Sequence, residues 1–441
     1  MRLYIVRDLQ QFDFEEQFFE QHQFARKARI LVCDIAQTGP NWVNVLYKQR
    51  AALGQSAYDG DLYVLSDYGS GFLEVRTEKF CAHPYLYQSK SSDFSPAENE
   101  LLRDYVGIKG IEHLAHYDTI EIVALGLGVR AAAYLLTFLP QSWFETKKIA
   151  GIALNGTVSA QGTRIGLPPT QWASRLDNLS EASLQQFYLS QFNTKKRFFN
   201  LFGASTSYNC AKVRQRKRKD EAAYQERVRE CCASNCPEPY IEMATDIVTW
   251  AAHSLLFDRP SKELSRLLHT TRDYWRQYGL MKVSAELRYL PFIDLGATGR
   301  ALFNRCFKLA YASADGVLFS ATAVKGDMKT NGPADGQVRL TEGPHINCAL
   351  ICELLLSPEH ADWQQVAQLI AADTTPLPDN LPQELILPRS DVETREAAAA
   401  LLQKELEALP FPIPFFAQPR RTSKKRSTAR KRRTGFVILL R

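Results

Sequence analysis

Short apolar runs that break at turns, with helical patterns between them, constrain this chain more than any other feature. Arg29–Ile35, Asp61–Leu65, Thr119–Leu125 and Lys148–Leu154 are runs of this kind. The first stops at Gln37-Thr38-Gly39-Pro40, a turn cluster, and the fourth at Asn155-Gly156. The third breaks at Gly126-Leu127-Gly128, and a helical pattern follows from Val129 to Leu139. Strands this short, separated by helices, form βαβ units in a mainly parallel sheet covered on both faces. Strand-like sequence returns at Phe307–Tyr311 and Gln337–Leu340, and a helix is predicted over Ile346–Leu356. The expected class is α/β, a mainly parallel doubly wound sheet.

Between these two sets of strands the texture changes. Long amphipathic patterns over Glu181–Phe202, Val213–Cys231, Tyr240–Phe257 and Ser261–Tyr278 predict a helical cap. The expected layout is a core at 1–160 and 301–358, and a cap or insertion at 161–300. A linker and amphipathic helix at 359–419 and a basic tail at 420–441 complete it. Pro376, Pro378, Pro382 and Pro388 mark the linker. Ser390 and Glu393 suit a capping box that opens a helix from Asp391 to Leu409.

Charge is unevenly placed along the 441 residues. The formal net charge is +6, yet Arg420–Arg441 alone holds ten Lys/Arg and no acid, which leaves 44 basic against 48 acidic side chains before it. The basicity therefore belongs to the tail. A hydrophobic content of 45% supports a large core and excludes wholesale disorder. The start of the chain meets Arg7 and Asp8 too early for a secretory leader, and no run approaches 18 apolar residues. Nine cysteines at irregular spacing fit reduced thiols in a cytoplasmic setting.

The strand, tight turn and helix at Ile122–Leu135 occupy the place of a nucleophile elbow. In such an elbow a serine stands on a sharp turn, and the next backbone N–H binds the oxyanion. Here Ala124-Leu125-Gly126-Leu127-Gly128 puts glycine at the serine's position. Asp315, after a strand-like run, and His345, thirty residues later, follow in the order Ser, Asp, His expected of an α/β-hydrolase triad. Leu127 and Gln37 are the expected oxyanion donors. A strained elbow costs an ordinary residue about 1–3 kcal/mol, whereas glycine adopts its angles freely. Gly126 thus keeps the turn and deletes the reacting atom. The same Gly-x-Gly also suits an ordinary tight turn in any doubly wound protein, or part of a dinucleotide loop without its third glycine.

At these residues the chain resembles the BioG-type pimeloyl-[acyl-carrier protein] methyl ester esterases. The resembling stretches are Ile122–Val129, Ala153-Leu154-Asn155-Gly156-Thr157, Gly166-Leu167-Pro168, Ala312–Phe319 and the region of His345. The resemblance implies an α/β-hydrolase fold, Asp315 as acid, His345 as base, and a pimeloyl thioester or its carrier protein as ancestral ligand. It departs at Gly126 and at the oxyanion loop Ala36–Pro40.

Four further groups carry alternatives. Ser70, between Gly69 and Gly71, is a substitute nucleophile for an active esterase. Cys210, Cys231, Cys232 and Cys236 hold soft ligands within 27 residues, but the spacing fits no usual zinc knuckle, so no metal or other cofactor is expected. Six charges in Lys212–Lys219 suit a solvated helix face or docking of an acidic carrier protein. In the tail, Arg420, Arg421, Lys424, Lys425, Arg426, Arg430, Lys431, Arg432 and Arg433 suit polyanion binding, without aromatics to stack on bases. The expectation is an esterase-like protein that has lost its nucleophile and binds an acyl ligand or carrier protein. The alternatives are an active esterase using Ser70 and a platform in a nucleic-acid assembly.

Overall fold

In the computed structural model, the described residues are 1–7, 19–20, 22–66 apart from 36 and 38, 68, 95, 97–98, 101, 107–159 and 295–313. They continue with 319, 321–341 apart from 334 and 335, 345–389, and 391–401 apart from 395 and 399. The helical patterns between 181 and 278, the cysteines 210, 231, 232 and 236, the runs at 212–219 and 420–433, Ser70 and Asp315 lie outside them.

The described residues form an α/β protein around a seven-stranded, mostly parallel sheet. Its strands are β1 Arg2–Ile5, β2 Lys27–Val32, β3 Asp61–Ser66, β4 Thr119–Leu125, β5 Lys148–Leu154, β6 Phe307–Ser313 and β7 Gln337–Thr341. Their order is β1-β3-β2-β4-β5-β6-β7, with β1 antiparallel to β3 and every other pairing parallel. The central strands carry near-continuous apolar sequence because both faces are covered, as parallel sheets require. The helices are α1 Gly39–Leu53, α2 Gly128–Leu136, α3 Gln141–Thr146, α4 Gly296–Cys306, α5 Ala321–Asn331, α6 Cys348–Leu356 and α7 Ala361–Ala372. α1 packs with α6, while α2 packs with α4. Among the described residues, no helix is long and apolar enough to cross a membrane.

The winding direction reverses between β2 and β4. From β2 the chain moves outward to β3, and from β4 it moves the other way through β5, β6 and β7. In open α/β sheets ligands bind outside the carboxyl ends of the strands at such a switch point. The residues just past those ends are Cys33 and Asp34 on one strand and Gly126 on the other. A buried ion pair holds the two strands together: Arg29 Nε donates to Glu121 Oε2 at 2.6 Å. The same guanidinium donates to the carbonyls of Leu355 and Ser357, and it stacks over the Tyr58 ring at 4.0 Å. A cation there answers the open carbonyls at the end of α6.

The structure corrects several boundaries. The run Arg29–Ile35 stops being strand at Val32, because the chain turns to carry Asp34 across the sheet's end. Gly39-Pro40 opens α1 rather than making a turn, since proline is tolerated in the first turn, where its missing N–H has no intrahelical partner anyway. α2 ends at Leu136, before Pro140. Farther on, the Asp391 carboxylate accepts from the Thr394 N–H at 2.7 Å, while Ser390, the expected cap, lies outside the described residues. The proline-marked segment lies against the body: the Gln141 N–H donates to Pro382 O, the Ile386 N–H donates to Phe138 O, and Leu381 is buried.

α7 is fastened to β6 by Lys308, a buried lysine whose Nζ lies 2.5 Å from Asp373 Oδ2. Burial alone would raise the Asp373 carboxyl, but the Lys308 ammonium and the donors of Thr375 outweigh it and hold it down to about 2. Because the folded value lies below the ordinary one, the contribution to stability is full above the ordinary carboxylate range. It is lost as pH falls from about 4 to about 2. Asp373→Asn is expected to cost about 1–3 kcal/mol at neutral pH by leaving the buried ammonium unpaired. It is also expected to flatten the fall in stability over that window. Chemical denaturation from pH 7 to 2 measures both, and an unchanged acid slope in Asp373→Asn would contradict the assignment.

Candidate functional site

Gly126 follows β4 directly, with φ of +50°, and Leu127 and α2 come next. Its N–H donates to Leu154 O at 2.8 Å, which ties the turn to the end of β5. This is the left-handed conformation that favours glycine. The side-chain space above Gly126 is filled. A Cβ built there would fall 1.9 Å from Asp34 Oδ2 and 2.3 Å from its Cγ. The carboxylate that arrives from the end of β2 thus occupies the place where a residue-126 side chain would stand.

Asp34 is fully buried and three donors converge on it. Its Oδ1 accepts from the Leu127 N–H at 2.9 Å and from the Ile35 N–H at 2.8 Å. Its Oδ2 lies 2.7 Å from Nε2 of the buried His345. The Leu127 N–H is the backbone donor expected to bind an oxyanion, and an internal carboxylate already holds it. Its position at the start of α2 favours negative charge, since the first N–H groups of a helix lack intrahelical partners. Paired donors of this kind also make burying a carboxylate tolerable.

The turn after β5 supports His345 from below. Asn155 has φ of +50°, and its Nδ2 donates to His345 O at 2.7 Å. Its Oδ1 accepts from the Ser313 N–H at the end of β6, and its own N–H donates to Tyr311 O at 2.8 Å. Gly156 comes next; a Cβ there would fall 1.9 Å from Gly126 O, so only glycine lets the two turns touch. The Ala-x-Asn-Gly-Thr strand end is therefore the device that joins β5, β6 and the His345 loop.

Of the site residues expected from sequence, Gly126, Leu127 and His345 come together, and Asp34 joins them unannounced. Asp315 and Ser70 lie outside the described residues. Gln37 is buried on the loop after β2, and its Oε1 accepts from Trp42 Nε1 at 2.8 Å. Because an indole N–H only donates, that contact fixes the amide's orientation and leaves Gln37 Nε2 without a partner among the described residues. His345 Nδ1 likewise has none there. Burial pushes the Cys306 thiol up to about 12 and the Cys352 thiol up to about 11, so neither is a ready nucleophile. No group of three or more metal-ligating side chains exists among the described residues.

Asp34 was missed in the sequence, although its position carried a signal. A charged residue that closes an apolar run of a central strand has to find buried partners. A glycine at an elbow leaves a volume for a neighbour to fill.

The Gly126–Asp34 contact makes the two positions energetically coupled. Gly126→Ala is expected to destabilise by several kcal/mol, from the φ of +50° and from displacement of the carboxylate. In an Asp34→Ala background the displacement vanishes and only about 1–3 kcal/mol of backbone strain remains. A double-mutant cycle by denaturation measures the coupling; additive effects would show that Asp34 does not occupy the space.

No family model and no curated protein matches the chain. Among solved structures it is similar to the crystal structure of selenomethionine BioG from Haemophilus influenzae. The TM-score is 0.33 and the identity 14%, over 78% of this chain and 94% of that one.

Proposed function

We infer that this is an α/β-hydrolase-like protein related to carboxylic-ester hydrolases in which the serine route is closed. One observation carries the reading: the Asp34 carboxylate fills the side-chain space over Gly126 and holds the Leu127 N–H. Residue 126 then has no hydroxyl to attack with, and the backbone N–H that would stabilise a substrate oxyanion is occupied. Either loss is severe, since a nucleophile and an oxyanion donor are each worth orders of magnitude in rate. The role that remains is to bind, as a scaffold or as a receiver of an acyl group or an acyl-carrier protein. Asp315 is the proposed partner of His345 Nδ1. Ser313, two residues before it, is already joined to the His345 loop through Asn155.

The reading predicts no hydrolysis of p-nitrophenyl butyrate by the full chain and no labelling by a fluorophosphonate. Gly126→Ser alone is expected to gain nothing, because its Cβ meets Asp34. Gly126→Ser combined with Asp34→Gly frees both the space and the N–H. It is expected to raise ester hydrolysis about 10²-fold, the low end of what a positioned base contributes. Fluorophosphonate labelling of a serine in the parent chain, or an equal gain from Gly126→Ser alone, would overturn the reading.

A further inference from the structure

We propose that the segment carrying Phe19, His22 and Phe24 is an acid-released clasp, shut on the body while His113 and His116 are neutral and opened when they take up protons. The clasp lies at the amino ends of β2, β3 and β4, where Lys27, Asp61 and Thr119 begin the strands. That is the opposite end of the sheet from Asp34, so the inference is independent of how the site over Gly126 works.

Local geometry builds the clasp. Gly110, with φ of +85°, turns the chain into a 3-10 helix at Ile111–His116. With about three residues per turn, such a helix sets His113 and His116 on one side. Phe19 lies on the His113 ring, 3.5 Å between centroids and 12° between planes, and Phe24 lies on the His116 ring at 3.8 Å and 10°. The planes of Phe24 and His113 are also within 22°, at 6.2 Å, so four rings share nearly one orientation. Beside this stack, His22 Nε2 lies 3.1 Å from Asp61 Oδ2. The same oxygen accepts from the Ala25 N–H at 3.1 Å and from the Tyr117 hydroxyl at 2.8 Å. The Tyr63 hydroxyl lies 2.7 Å from that of Tyr117.

The balance of charge decides when the clasp holds. Among the described residues, the imidazoles of His22, His113 and His116 have two carboxylates to answer them. Asp61 is already shared by His22, Ala25 and Tyr117, and Glu112, half exposed, is 3.9 Å from His113 Nε2. Lys147 Nζ donates to the carbonyls of Ala115 and Tyr117, which puts a cation at the end of the same 3-10 helix. On the clasp itself Glu20 is exposed, and Arg26 is paired with Asp118. A proton on His22 therefore meets Asp61, whereas protons on His113 and His116 add like charges beside it. Burial holds the His113 imidazole below its ordinary value; Glu112 pulls it up, and His116 and His22 push it further down. Because the folded value is the lower one, the neutral ring's contribution is full above about 6.5. It is lost as pH falls through the folded value.

Amide hydrogen exchange of the full chain, read by mass spectrometry and corrected for the pH dependence of the intrinsic rate, tests the clasp directly. The reporter is the peptide holding Ala25, whose N–H is bonded to Asp61. Its protection is expected to fall about tenfold between about pH 7.5 and about pH 5.5, the range in which histidine titrates. The β4 peptide, Thr119–Leu125, is expected to keep its protection. His113→Phe combined with His116→Phe keeps rings in the stack and removes both protons, so the reporter should then stay protected at both pH values. Protection of the parent that is constant, or that rises on acidification because the phenyl faces attract imidazolium, overturns the proposal. An equal loss in β4 also overturns it, since that is general unfolding, and neither result needs a variant to fold. An undiminished acid loss in the double variant likewise removes the histidines from the device.

Discussion

A carboxylate buried at the crest of the sheet, with its charge answered by two backbone N–H groups and an imidazole, is the constraint on which the site depends. A carboxylate without partners there would cost several kcal/mol or more. Asp34 is tolerable only because Leu127, Ile35 and His345 converge on it. The convergence in turn needs β2 and β4 side by side, which the Arg29–Glu121 pair and the parallel ladder between them secure. It also needs the His345 loop held by Asn155. Removing any of these supports leaves a charge with nowhere to go.

Seen this way, Gly126 is one half of a pair of residues. Glycine at the elbow relieves backbone strain, and it also opens the volume that Asp34 enters. A serine and this aspartate exclude one another sterically. The two positions are therefore coupled, and a side chain added at 126 alone meets the carboxylate.

Much of the architecture was legible because parallel strands buried on both faces write themselves as short apolar runs. Thr119–Leu125 and Lys148–Leu154 are strands over the same residues in sequence and structure. The helices α1, α3, α4, α5 and α7 were not read, for two reasons. α1 opens on Gly39-Pro40, which mimics a turn, and the others carry mixed faces that follow from packing rather than from a clean period. β1 was missed because four residues beside a buried arginine look like a chain terminus rather than an edge strand. Of the residues singled out in the sequence, Gly126, Leu127 and His345 meet around Asp34. Asp34 was hidden because it closes an apolar run, and its contacts depend on Leu127, 93 positions away in the turn after the neighbouring strand.

The most direct measurement of the central claim is a long-range ¹⁵N–¹H spectrum of the histidine-labelled full chain. A buried imidazole whose Nε2 is 2.7 Å from a carboxylate should give one downfield N–H proton protected from exchange. That signal should be present in the parent, retained in Asn155→Ser if weakened, and absent in Asp34→Ala. A His345 resonance that exchanges freely in the parent, or one unchanged by Asp34→Ala, would contradict the account.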